Sequence, residues 1–311
     1  MKKRIRSSAA PALLALAAFI AFLLFPARYA ERVSEGISLW AVSVLPVTLP
    51  FLFLTLLLSR MPAFARVSRK LSPAFAGCFR VSGAGGCAAV LSVLSGYPAG
   101  ARAVLDLWER GCLAREERLR AACLATTSGP AFLAGTLGAI AGSAVGWLLF
   151  AAHLAGVWSV SFLLGRRAEP PAAVPPPAQV QVQVQTGSAV TESLSAAVLS
   201  VLAVGGAIAL FYAFGCMIGD LLAPVRLPPA AAAFLQGLAE MTSGCVFLLQ
   251  DPMPAHIALC AFLVTFGGAC VLVQQWSFLR RTGVRLPAFL LVKAAQGIAA
   301  ALAAYALALL L

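Results

Sequence analysis

The sequence predicts an all-α polytopic membrane protein, with about seven spanning helices and two re-entrant helical hairpins arranged as an inverted repeat. Three observations lead there. The 311 residues are 61% hydrophobic and only 11% charged, with a mean hydropathy of +0.92, whereas soluble domains carry roughly 25% charged residues. Apolar runs long enough to cross a bilayer as helices recur along the chain. Two of these runs, residues 81–101 and 227–250, hold helix-breaking or polar residues in their middle. The net charge of +12 would suit nucleic acid, but basic residues lying between apolar runs report membrane topology instead.

Taken in order, residues 1–6 (MKKRIR) and the apolar run to Phe25 have the layout of a signal peptide. A cut after Ala30 would put Arg28 where a small residue is required. An uncleaved helix with a cytoplasmic N-terminus is therefore expected, an anchor over residues 1–36. Residues 37–58 carry no charge and form the next span, bent by Pro46 and Pro50. Five basic residues follow between Arg60 and Arg80.

Residues 81–101 are 21 residues without a charge, ending at Arg102. Gly96, Pro98 and Gly100 sit in the second half of that run, so the helix breaks at membrane depth. Broken backbone survives there only against protein or a water-filled cavity, and transporters place substrate sites at such breaks. Residues 102–120 are a charged connector with five Arg against four acids.

Residues 121–165 contain no Asp, Glu, Lys or Arg and read as two spans turning near 141–143, the first interrupted by Thr126-Thr127-Ser128-Gly129-Pro130. Residues 166–192 are Pro/Gln/Val-rich, an extended linker. A span follows at 193–219. Residues 227–250 hold Glu240-Met241-Thr242-Ser243-Gly244, and 252–279 hold Thr265-Phe266-Gly267-Gly268. The last span, 287–311, carries Lys293.

Charge counting decides whether the two interrupted segments cross. If both cross, there are nine spans and the Lys/Arg tally is 13 cytoplasmic against 9 external; if both turn back, seven spans remain with 19 against 3. Cytoplasmic loops favour Lys and Arg, so the hairpins win. Each arm of about twelve residues then reaches some 18 Å into the bilayer. Residues 37–165 and 193–311 thereby become two units with the same element order and opposite orientation. In such proteins the site lies near the midplane, where the repeats meet.

The residues Gly83-Ala84-Gly85-Gly86 and Ser95-Gly96-Tyr97-Pro98-Ala99-Gly100-Ala101-Arg102 resemble sporulation integral membrane proteins of the YlbJ/SpoVV type, in the nucleoside-recognition or Gate domain superfamily. The likeness continues through 115–130 and less sharply through 236–244 and 266–293. The resemblance implies paired re-entrant hairpins and movement of dipicolinate across the outer forespore membrane. The chain departs from that pattern at Thr126–Pro130, often richer in Asn, and at Arg102, where Lys is common.

A site for a planar dianion needs N–H groups, hydroxyls and a cation. Helix N-termini at the breaks would supply N–H groups and partial positive charge. Gly96, Tyr97, Pro98, Gly100, Thr126, Thr127, Ser128, Gly129, Thr242, Ser243, Gly244, Gly267 and Gly268 are the candidate substrate-binding residues, with Tyr97 able to stack on a ring. Any single Ser or Thr can equally bond its own helix backbone. Glu240, Lys293 and Arg102 are the candidate charged groups. Glu240 would carry a coupling proton or pair with Lys293; Lys293 would otherwise snorkel to the interface. Arg102 and Asp106 would form an interfacial ion pair.

His153 and His256 read as packed or interfacial, and the eight cysteines as small buried residues with no disulfide framework or metal site. The expected partners are a small anionic solute, the lipid bilayer, an H+ or Na+ coupling ion and a second copy of the chain, with no nucleic acid and no cofactor. Neither zinc nor Gly-x-Ser-x-Gly motifs occur, so an enzyme is not expected. A scaffold for spore-envelope assembly and a nucleoside-like carrier are the competing readings.

Overall fold

The computed structural model describes residues 2–171 and 186–311, and within them every regular element is a helix. Most of the expected linker lies outside the described residues. Five helices are long and apolar enough to cross a membrane, at 26–58, 143–166, 189–225, 254–282 and 286–308. Of the other two expected spans, α1 (Lys2–Leu24) is apolar throughout 12–24, and the one expected at 121–141 is interrupted.

The second span starts earlier than its uncharged run. α2 (Pro26–Leu39) continues through a π-helical turn at Trp40–Val44 into α3 (Leu45–Ser59). Pro46 has no N–H to give and its ring crowds the preceding turn; widening that turn accommodates it without ending the helix. A second π segment, Ala131–Leu137, touches the first where the Thr136 hydroxyl donates to the Ser43 carbonyl at 3.0 Å.

α4 (Pro62–Phe79) ends in a left-handed Arg80 and is bent by 92° from α5 (Gly83–Ser95). α5 and α6 (Ala99–Glu109) pack against each other on either side of the turn at Gly96–Pro98. The second arm thus runs beyond Arg102 into the charged connector. The base of this hairpin is clamped by the connector. The buried Glu117 carboxylate accepts from the Ser82 and Ala114 backbone N–H groups, and Arg120 donates twice to the Arg80 carbonyl.

α7 (Arg118–Leu124) stops before an irregular stretch at 125–130, after which Ala131–Leu137 and α8 (Gly138–Ala141) lead to the turn at Gly142 and the long α9 (Ser143–Arg166). Beyond the linker, α10 (Thr186–Leu222) packs against α2 and α3. α11 (Pro229–Ala239) and α12 (Met241–Leu248) fold onto each other around Glu240. α13 (Pro254–Phe266) and α14 (Gly268–Leu279) are divided at Gly267, and α15 (Leu286–Ala308) closes the chain. A helical hairpin, an interrupted helix and a long helix therefore occur twice in that order.

α9, α13 and α15 form the centre of the packing. At Gly156 a side chain would collide with the backbone of Gln296 and Ala300, so α9 and α15 meet backbone to backbone. Small residues permit such approach where lipid gives no hydrophobic drive between helices.

Candidate functional site

Both interrupted helices and both hairpin tips reach one cavity. Its empty space, open solvent at the mouth included, is about 630 Å3, and its lining includes Ser95, Gly96 and Tyr97 from the first tip and Glu240, Met241 and Thr242 from the second. Ser128, Gly129, Ala131 and Phe132 come from the first interruption, Val271 and Gln274 from α14. α3 adds Thr48 and Phe51 on one wall, and α10 adds Val204 and Ile208.

The breaks pack on each other through glycines. Gly96 (φ +74°) lies with its α-carbon against the Gly129 backbone, and a β-carbon there would stand 3.0 Å from the Gly129 nitrogen. Gly268 does the same against the carbonyl of Gly237, bringing α14 onto the second tip. Gly244 lies on Gly237, which closes the α11–α12 hairpin. Gly100 abuts the Ala125 carbonyl and Ser92.

Each break frees backbone groups that a continuous helix would satisfy, and side chains from elsewhere in the chain take them up. At the end of α7, the Lys293 ammonium donates to the Thr126 carbonyl at 2.8 Å and the Gln296 amide to the Cys123 carbonyl at 3.3 Å. A cation at a helix C-terminus also meets the negative end of the helix dipole. The Thr127 N–H and hydroxyl both donate to Ser92 Oγ, at 3.0 and 2.9 Å. At the end of α13, the Tyr97 hydroxyl donates to the Val264 carbonyl at 2.9 Å.

His153 ties the two interruptions together. Its Nε2 accepts from the Ser128 N–H at 3.0 Å, so Nδ1 carries the hydrogen and donates to Thr265 Oγ1 at 2.9 Å. The ring is fully buried. This residue was expected to be packed or interfacial, yet it is the one histidine in 45 residues that hold no Asp, Glu, Lys or Arg. Gln296, three residues beyond Lys293 and so on the same face of α15, is a second group that residue type alone did not mark.

Glu240 caps α12. Its carboxylate accepts from the N–H groups of Thr242 and Ser243 at 3.0 and 2.8 Å, and the Ser243 hydroxyl returns a bond to the Glu240 carbonyl. This corrects the expectation that α12 would offer its free N–H groups to an anion: two are already taken by a carboxylate. The start of the Ala131–Leu137 segment has no side-chain cap and faces the cavity, leaving that N-terminus open.

Three further expectations change. Lys293 is fully buried rather than snorkelling, and its charge lies 5.6 Å from the centre of the Tyr97 ring. No ion pair joins it to Glu240 among the described residues. Arg102 does not pair with Asp106 either; it donates to Ser200 on α10 at 3.2 Å, away from the cavity. Of the thirteen candidate substrate residues, Gly96, Tyr97, Ser128, Gly129 and Thr242 line the cavity. Pro98, Gly100, Thr126, Thr127, Ser243, Gly244, Gly267 and Gly268 stand behind that wall and hold the breaks in place.

No family model and no solved structure matches the chain. The chain is similar to Sporulation integral membrane protein YlbJ of Bacillus subtilis (strain 168), with 27% identity over 333 aligned residues, 93% of this chain and 81% of that protein. That similarity runs well beyond the glycine-rich stretch at 83–102 and takes in both hairpins and both interrupted helices. The similarity, spread over nearly the whole chain, supports a sporulation membrane protein of the YlbJ type.

Proposed function

We propose that the chain is a membrane carrier for a small organic anion, with its cavity exposed alternately to the two sides of the bilayer. The observation that carries this reading is the cavity lining, to which both hairpin tips and both interrupted helices contribute. A scaffold has no need of broken helices that converge on a cavity. Lengths support hairpins that enter and return: at 1.5 Å per residue α5 and α6 extend about 20 and 16 Å, and α11 and α12 about 16 and 12 Å, against ~30 Å of hydrocarbon.

Ion pairs support the same topology. Arg60 pairs with Glu192, and Glu109 with Arg281 at 2.5 Å. If residues 81–101 and 227–250 crossed the bilayer, the partners in each pair would face opposite sides. With both segments turning back, they share the cytoplasmic side, and the two units become inverted copies.

The family resemblance points to dipicolinate, and the relative's name to sporulation; the outer forespore membrane is the corresponding location. Phe51, Tyr97 and Phe132 offer faces for a planar ring, and Thr48, Ser128 and Thr242 offer polar groups beside them. An anion entering next to the Glu240 carboxylate brings like charges together at low dielectric, which favours uptake of a compensating proton or Na+. Purified protein in liposomes should accumulate dipicolinate above protein-free vesicles. Thr48→Phe, which fills the cavity from α3, should remove that flux without loss of helical circular dichroism. Unchanged flux in the variant would move the path elsewhere, and no flux from the native protein counts against the carrier.

A further inference from the structure

Arg102 and Asp106 on α6 and Arg110 at its C-terminal cap recur every four residues and so line up along one face. That face borders a groove of about 490 Å3 between α3, α5 and α6, separate from the cavity at the helix breaks. Toward the N-terminal end of α6 the groove is floored by the small side chains of Ala99 and Ala103, beside Leu56. Toward the C-terminal end it becomes charged. Neither guanidinium lies within ion-pairing distance of a carboxylate among the described residues. Arg102 spends one N–H on Ser200 at 3.2 Å and keeps others for a ligand, since a guanidinium has five.

We infer that this groove holds the headgroup of an anionic phospholipid of the phosphatidylglycerol class. The phosphodiester lies against Arg102 and Arg110, Asp106 accepts from a headgroup hydroxyl, and the first acyl carbons cover Ala99 and Ala103. Guanidinium–phosphate bonds are charge-assisted and strong, and basic pockets between membrane helices are where anionic headgroups bind. Arg110 stands at the C-terminal end of α6, where the second arm of the hairpin runs into the charged connector at the membrane surface, so the groove leads from hydrocarbon depth at Ala99 to headgroup level at Arg110. Free phosphate would satisfy the arginines but leave the alanine floor uncovered, so the amphiphile fits better.

Native mass spectrometry on the full chain in detergent tests this, with phosphatidylglycerol and phosphatidylcholine titrated separately. Phosphatidylglycerol should be retained preferentially. Arg102→Gln with Arg110→Gln should weaken that retention at least about tenfold, the effect of losing one charged hydrogen bond. Ala103→Leu should also weaken it by filling the floor while both arginines remain, which keeps the proposal testable if the double variant does not fold. Equal retention of the two lipids, retention unchanged in these variants, or displacement by millimolar inorganic phosphate would each overturn it.

Discussion

At the residue scale, the buried carboxylate of Glu240 has its charge met by the first turn of α12, through two backbone N–H groups. Glu240→Gln keeps one acceptor oxygen and presents an amide to the other N–H. The variant should lose about 1 kcal/mol of stability, the usual worth of an N-cap, as a lower thermal midpoint in detergent. If Glu240 also carries the coupling proton, this variant should exchange substrate yet fail to accumulate it under an imposed pH gradient; Glu240→Ala should be worse. A full gradient response from Glu240→Gln would leave Glu240 as a cap alone. Gly100 offers a simpler test. A β-carbon there has no room beside the Ala125 carbonyl and Ser92, whereas at Gly77 nothing lies within 4 Å. Gly100→Leu should abolish transport and lower the thermal midpoint, overpacking costing about 1–3 kcal/mol or more, while Gly77→Ala should be neutral or mildly stabilising.

At the element scale, the two interrupted helices are held by side chains that replace missing helical bonds. His153 is the clearest case, because one ring serves the break at 125–130 and Thr265 at the end of α13. His153→Leu keeps the apolar bulk but leaves the Ser128 N–H and the Thr265 hydroxyl unsatisfied. Each orphaned group costs about 1–3 kcal/mol when buried. The variant should show faster backbone hydrogen exchange at 126–130 and near 264–267, with little change in α1 or α10. Exchange that rises uniformly, or not at all, would mean that the ring is filler and that the breaks are held by packing alone.

At the scale of the whole molecule, the topology is open to direct test. Ion pairs gather Arg60 with Glu192 and Glu109 with Arg281, while Arg28 pairs with Asp220 where the first long span begins and α10 ends. In a background with the native cysteines replaced, a cysteine at Glu109 should be protected from an impermeant thiol reagent applied outside and labelled after permeabilisation. A cysteine at Asp220 should react from outside. Labelling of position 109 from outside would restore nine crossing segments and remove the inverted arrangement.

What the sequence by itself determined is what local chemistry can encode: membrane class from apolar run length, and helix breaks from Gly, Pro and polar residues inside apolar runs. Gly96–Pro98, 125–130 and Gly267 were legible because a missing donor or a left-handed backbone is a property of a few adjacent residues, and Glu240 because a lone acid interrupts an apolar run. The tertiary structure alone decided which groups satisfy each break. Lys293 meets Thr126, and Tyr97 meets Val264, across 167 residues of chain in both cases. The role of His153 depends on partners 25 and 112 residues away. The pairing of Glu240 with its own helix N-terminus rather than with Lys293 follows from distance: a carboxylate reaches two N–H groups of the next turn at no cost in chain closure, and packing of α15 had already committed the ammonium to the end of α7.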